Sequence, residues 1–277
     1  MKTPPGAAGP QVDYRHPWVV RLWHWANAGA VVVLLMTGLL LFDIHPRLYW
    51  GDDGHAGMPA FLAVDAMDVT SATPRFSLQL GGHHWDVTGI IGTIVDEGDS
   101  GKYVLIANPP DDWQFGATRG WHFMFAWLLG LSLPAYALYL LVSGRLRDRL
   151  LPTRVELSAR SIGHELSQHL RMRRARGEAS RHYNILQKAS YLSVIGVLIP
   201  LAILSGFTMS NAMTAVFPGL IALFGGHQSA RSVHFMVAML LGLFLLVHVF
   251  QVLVSGFTNL MRSMITGRFV VEPEELP

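Results

Sequence analysis

Cysteine is absent from the 277 residues of this chain. Covalent c-type haem, cysteine-ligated iron–sulfur clusters and disulfides are therefore excluded, and any redox metal must be held by histidine, methionine or carboxylate. Charge is also scarce. Only 14% of residues are Asp, Glu, Lys or Arg, against about 25% in an ordinary soluble domain. A formal net charge of +2 gives nucleic acid little to bind and removes it as an expected partner. No A-x-A cleavage pattern follows the first apolar run, which is also too long for a signal-peptide core, so it reads as a retained helix.

What the chain does have is apolar length. Hydrophobic residues make up 51% of it, and they are clustered. A transmembrane helix needs about 20 mostly apolar residues, and four runs supply them: Trp18–Phe42, Trp121–Val142, Ala189–Ser210 and Ser232–Phe257. With their flanks the spans are predicted at residues 18–42, 119–143, 189–210 and 229–258. Pro134 and Pro200 fall inside the second and third, where proline is tolerated. The expected fold class is an all-α integral membrane protein, a four-helix transmembrane bundle in contact with membrane lipid, carrying a small insertion that contains β-structure.

That insertion is residues 43–118. Phe76–Leu80, Trp85–Val95 and Tyr103–Ala107 alternate enough to suggest short strands, with turns at Gly81-Gly82 and Gly98–Gly101. Within segment 211–228, the apolar stretch Ala212–Phe224 is interrupted by Pro218 and Gly219 and is expected to lie along the interface.

The loops differ in charge. Gly144–Lys188 holds 11 Lys or Arg against 4 Asp or Glu, whereas Asp43–Thr118 holds 3 against 11. Inside loops carry the excess of Lys and Arg. The basic loop 144–188, the N-terminal segment 1–17 and the tail 259–277 are therefore expected in the cytoplasm, and the acidic loop 43–118 on the periplasmic side. The acidic loop is either a shield over the helices or a docking face for a redox partner. An amphipathic helix is expected at about Val155–Arg173, its arginines most simply explained as the inside charge that fixes topology.

Thirteen histidines are available, and four of them fall within the spans, where ionisable residues default to functional roles. They pair by depth. His24 and His248 lie toward the inner ends of the first and fourth spans, His122 and His234 toward the outer ends of the second and fourth. On the fourth span the two histidines are 14 residues apart. At about 100° and 1.5 Å per residue they point within roughly 40° of each other and stand about 21 Å apart along the axis. One helix face could thus ligate two cofactors, and the small residues Ala238 and Gly242 between them leave room for flat macrocycles or for close helix packing. Two imidazoles on one iron leave no open position, which suits electron transfer rather than oxygen binding.

Arg21, Arg119 and Arg231 each stand three residues before a paired histidine, in Arg-Leu-Trp-His, Arg-Gly-Trp-His and Arg-Ser-Val-His. Each lies about one turn nearer the surface on roughly the same face. Contact with haem propionates explains the repeat; boundary anchoring by a long basic side chain is the competing explanation.

These motifs carry a resemblance. Arg21-Leu-Trp-His24, the stretch from Ile44 to Gly51, Arg119-Gly-Trp-His-Phe123, Tyr183-Asn-Ile-Leu-Gln-Lys188, the His234…His248 spacing and Arg262-Ser-Met-Ile-Thr-Gly267 together resemble the bacterial di-haem cytochrome b561-like family. That family includes the gamma subunit of formate dehydrogenase, the cytochrome b subunit of nickel–iron hydrogenase and thiosulfate reductase cytochrome b subunits. The resemblance implies a subunit of a bacterial inner-membrane complex that binds two haem b groups, anchors an oxidoreductase and exchanges electrons with quinone. It implies His24 and His248 as ligands of an inner haem and His122 and His234 as ligands of an outer one. Asn184 and Gln187, matching the family's Asn-x-x-Gln-Lys motif, become quinone candidates, with capping of the third helix as the other role. The variant looks most similar to a branch that serves molybdopterin oxidoreductases; hydrogenase or formate dehydrogenase partners remain open, as do a stand-alone quinone-linked cytochrome and a proton or metal transporter or sensor. The strand-rich part of the outer loop departs from the family pattern.

Overall fold

Four helices of the computed structural model are long and apolar enough to cross a membrane: Trp18–Asp43, Gly116–Val142, Ile185–Thr208 and His227–Val254. Only 11–22% of their most apolar windows is buried. Many of their apolar side chains, among them Leu131, Val142, Leu246 and Phe250, face outward, as happens when a helix is surrounded by lipid. The structure describes residues 11–55, 57–67, 75–88, 115–171 and 183–271.

In chain order, β1 (Gln11–Tyr14) leads into α1 (Trp18–Asp43). A sheet segment follows with β2 (Arg47–Leu48), β3 (Leu62–Met67), β4 (Arg75–Leu80) and β5 (His83–Asp86). Next come α2 (Phe115–Val142), a π-helical turn at Leu146–Leu150 and the amphipathic α3 (Ala159–Leu170). The third span is built from α4 (Ile185–Ser193), a second π-helical turn at Val194–Leu198 and α5 (Ile199–Thr208). Pro200 explains the wide turn. It has no N–H to give the preceding turn, and its ring would collide with a regular helical carbonyl there. Two short helices, α6 (Asn211–Val216) and α7 (Gly219–Phe224), flank Pro218. The chain continues with α8 (His227–Val254), α9 (Phe257–Thr266) and β6 (Arg268–Val271).

The chain divides into two compact units. One comprises residues 1–28, 131–199 and 241–277. Its apolar centre is Tyr136, Leu140 and Leu150, packed by Trp23, Tyr183, Tyr191 and Ile195. Trp23 lies flat on Tyr136, ring centres 4.0 Å apart. Here β1 and β6 pair antiparallel, with Gln11 opposite Val271. Arg15 is held between the rings of Phe269 and Tyr183, at 4.7 and 5.1 Å from their centres, a cation–π arrangement. The basic segment after α2 is tied to α4 by Lys188, whose Nζ reaches both carboxylate oxygens of Glu156 at 2.9 Å.

The other unit comprises residues 29–130 and 200–240. It contains the four-stranded antiparallel sheet in the order β2-β3-β4-β5. The β4–β5 hairpin turns on Gly81 and Gly82 at φ +54° and +86°, the left-handed pair that a two-residue turn requires. The stretch expected as a strand from Trp85 is paired only through Asp86; residues 89–114, including Gly98–Gly101 and Tyr103–Ala107, lie outside the described residues. The segment after α1 is strapped onto the start of α8. Ser232 Oγ donates to the Tyr49 carbonyl at 2.6 Å, Gly51 N–H donates to Ser229 Oγ at 2.8 Å, and Phe42 packs on Phe235 at 4.3 Å between ring centres.

Candidate functional site

Each unit contains one pair of facing imidazoles. In the first, His24 of α1 and His248 of α8 have ring centres 6.2 Å apart. In the second, His122 of α2 and His234 of α8 also have ring centres 6.2 Å apart. Two imidazole nitrogens at about 2.0 Å from a shared metal, each about 1.1 Å in front of its ring centre, put the centres about 6.2 Å apart. Among the described residues no group of three or more His, Asp or Glu is placed to hold a metal ion. A bare ion would want such a group; a metal that arrived inside a macrocycle would need only two imidazoles from the protein.

The rings of the second pair are oriented from behind. Thr37 Oγ1 donates to the Val33 carbonyl at 2.7 Å, and its remaining lone pair lies 2.9 Å from His122 Nδ1. Ser205 Oγ donates to the Leu201 carbonyl at 2.6 Å and lies 3.1 Å from His234 Nδ1, which is also 2.9 Å from the Ala202 carbonyl. Because the Ala202 carbonyl can only accept, His234 Nδ1 carries the proton and its Nε2 keeps its lone pair for a metal; with the Thr37 hydroxyl hydrogen given to Val33, the same tautomer suits His122. A glycine follows each hydroxyl residue. A Cβ on Gly38 would come within 3.4 Å of His122 Cε1, and one on Gly206 within 3.3 Å of His234 Cε1. The same device thus occurs twice: a Thr-Gly step on α1 and a Ser-Gly step on α5, each seating one imidazole.

The first pair is framed by aromatics. Phe244 stacks on His248 at 5.6 Å, and Trp25 meets His24 edge-on at 5.0 Å. His24 Nδ1 is buried without a hydrogen-bond partner. Nearby polarity is otherwise satisfied: Ser132 Oγ donates to Asn27 Oδ1 at 2.8 Å, and Asn27 Nδ2 donates to the Trp23 carbonyl at 2.8 Å.

The three arginines differ. Arg21 donates through Nη1 to the Ile265 carbonyl at the end of α9, while its buried Nε has no partner. Arg231 donates to the carbonyls of Arg47 and His45, at 2.9 and 2.5 Å, and so clamps the strap over α8. Arg119 is exposed, its guanidinium 6.0 Å from the Phe123 ring centre. Asn184 and Gln187 form a reciprocal capping box on α4: Asn184 Oδ1 accepts from Gln187 N–H at 2.9 Å, and Gln187 Oε1 accepts from Asn184 N–H at 3.2 Å. Their carbonyl oxygens serve the cap. Their NH₂ groups are donors of the kind a quinone carbonyl accepts.

Sequence reading missed Thr37, Gly38, Ala202, Ser205 and Gly206. The available signal was a hydroxyl–glycine step in each of two spans. Such steps also serve plain helix packing, so only the imidazole against them gives them meaning.

A family model described as prokaryotic cytochrome b561 matches residues 15–267. The chain belongs to that family. A putative protein-methionine-sulfoxide reductase subunit, YedZ1, from Azospira oryzae (strain ATCC BAA-33 / DSM 13638 / PS) is 30% identical over 237 residues, covering 86% of this chain and 89% of the relative. No solved structure matches. This cytochrome b561 family member is a multi-pass membrane cytochrome b with an electron-transfer role, and family membership implies haem b. The two histidine pairs fit such a group by their shared spacing, the second also by its glycine-seated rings and the first by the unpartnered Arg21 Nε in the same unit.

Proposed function

We propose that this protein is a di-haem b electron-transfer subunit that links a periplasmic oxidoreductase to the quinone pool of a bacterial inner membrane. His24 and His248 hold one haem, His122 and His234 the other. The observation that carries this reading is the recurrence of one imidazole separation, 6.2 Å, in both units. Held by these histidines, haem b would supply a one-electron redox centre. The chain's own residues do the rest. Thr37 and the Ser205–Ala202 pair hold the imidazole tautomers of one site, and aromatic side chains pack the other. Arg21, whose buried Nε has no partner, is assigned to a propionate at the first site. The same role for Arg119 and Arg231 is part of the proposal.

Both termini and the basic loop 144–188 are assigned to the cytoplasm from the charge asymmetry, which puts Asn184 and Gln187 at the cytoplasmic end as quinone donors. The relative's name, a subunit of a methionine-sulfoxide reductase, supports an oxidoreductase as partner; a molybdopterin enzyme is the type proposed, on the branch resemblance of the sequence alone.

The test is a pyridine haemochrome count on purified protein with reduced-minus-oxidised spectra. Two b haems per chain are expected. Replacing His234 by Ala should remove one and leave the other, and His24→Ala should remove the complementary one. A preparation with no haem band, or with one haem lost equally by both variants, would overturn the reading.

A further inference from the structure

In the first unit, a cavity of about 40 Å³ is lined by Arg15, His16, Val20, Tyr136, Leu140, Arg145, Arg149, Leu150 and Tyr183. That is room for about three water molecules and less than an aromatic ring needs. Its chemistry is one-sided. Three guanidinium groups and two phenols meet there, and among the described residues no carboxylate lines the cavity. Of these, Arg145 and Arg149 are like charges on one wall, and like charges repel unless an anion sits between them. His16 shares the wall and is itself held neutral: burial, followed by the charges of Arg15 and Arg145, lowers its pKa from 6.5 to about 3. A neutral imidazole and two phenols can donate hydrogen bonds to an anion without adding charge.

Two of the arginines are fixed from behind. Arg15 is stacked between Phe269 and Tyr183. Arg145 donates to the Arg15 carbonyl at 3.3 Å and precedes the π-helical turn Leu146–Leu150 that carries Arg149. The remaining walls are apolar, from Val20, Leu140 and Leu150. On the same end of α2, Leu138, Leu141 and Val142 are 61%, 62% and 81% exposed, an apolar surface suited to acyl chains.

We propose that this cavity binds a phosphate-class anion, with Arg145 and Arg149 as its charged donors. The shared chemistry is a phosphate oxygen set between guanidinium groups. A phospholipid headgroup is one source, since basic pockets at helix ends take anionic headgroups; free phosphate is the other. The proposal is independent of haem number and of quinone.

The test uses the full chain in nanodiscs of phosphatidylglycerol mixed with phosphatidylcholine, released into native mass spectrometry, beside the Arg145→Gln/Arg149→Gln variant. Retention of phosphatidylglycerol over phosphatidylcholine, falling on the order of tenfold in the variant, supports a lipid headgroup. If neither lipid is preferred, equilibrium dialysis of delipidated protein against radiolabelled orthophosphate is decisive: saturable binding lost in the variant supports free phosphate. Should the double variant fail to fold, as judged by its thermal unfolding, Arg149→Gln alone serves, because Arg149 is exposed. No preference and no saturable phosphate binding, or binding that the substitutions leave unchanged, overturns the proposal.

Discussion

His122 and His234 face each other with ring centres 6.2 Å apart and planes 66° from parallel, and each has its Nδ1 against a helix acceptor. The two rings are not backed equally. His234 has two acceptors, the Ala202 carbonyl and Ser205 Oγ, while His122 has Thr37 Oγ1.

That inequality sets the first prediction. An acceptor behind a ligating imidazole raises its basicity and favours the oxidised metal. Thr37→Val should therefore raise the midpoint potential of the haem assigned to this pair by on the order of tens of millivolts. Ser205→Ala should move it less, because the Ala202 carbonyl remains. Redox titration of both variants reads the difference; equal shifts, or none, would count against the hydrogen bonds acting on the ligands.

The glycine seats give a steric prediction. At Gly206 a methyl group would already stand 3.3 Å from the His234 ring, and at Gly38 3.4 Å from the His122 ring. Alanine at either position should be tolerated with small spectral change. Valine at Gly206 should displace the ring and reduce haem content of that pair by half or more, read from haemochrome yield per protein. Full haem content in Gly206→Val would show that the seat is not required.

Lys188 carries a side chain only 9% exposed, and its partner Glu156 is 29% exposed. Removing one member of a buried pair costs about 3–5 kcal/mol, and partial exposure of Glu156 reduces that to roughly 1–3 kcal/mol. Glu156→Gln should lower the thermal midpoint in detergent and speed proteolysis between Thr153 and Arg171. The carboxyl of Glu156 is pulled below its ordinary value of 4.5, chiefly by its hydrogen bond from Lys188. A depressed carboxylate stabilises the fold above its unfolded pKa and loses that contribution as pH falls through the folded one. The wild-type segment should accordingly loosen only on acidification below about pH 4.5, and the variant should show no such step.

His16 gives a second pH dependence. Its pKa is lowered from 6.5 to about 3, mainly by burial. The neutral form is the folded form, so this contribution is complete above pH 6.5 and is lost progressively as pH falls toward 3. Thermal midpoints measured from pH 7.5 to 4.5 should decline, and His16→Gln should flatten the decline. An unchanged slope in the variant would place the acid sensitivity elsewhere.

Much of this architecture is legible in the residues. Bilayer-length apolar runs dictate the four spans, because an unpaired backbone polar group is too costly in lipid for anything but a helix. A spacing of 14 residues puts His234 and His248 on one helix face, and the turn at Gly81-Gly82 follows from the need for positive φ. The amphipathic pattern in the basic loop likewise reappears as α3.

What the tertiary structure decided is everything that depends on a neighbour distant in sequence. Periodicity alone cannot say that β1 pairs with β6 across more than two hundred residues, nor that Arg231 turns to the carbonyls of His45 and Arg47. It gives no meaning to Thr37-Gly38 or Ser205-Gly206 until an imidazole rests on them. Helix position is a local property, fixed by hydrophobicity and hydrogen-bond satisfaction within one segment. Which side chain backs a histidine is settled only when separate helices pack and their crossing brings particular atoms within hydrogen-bonding distance.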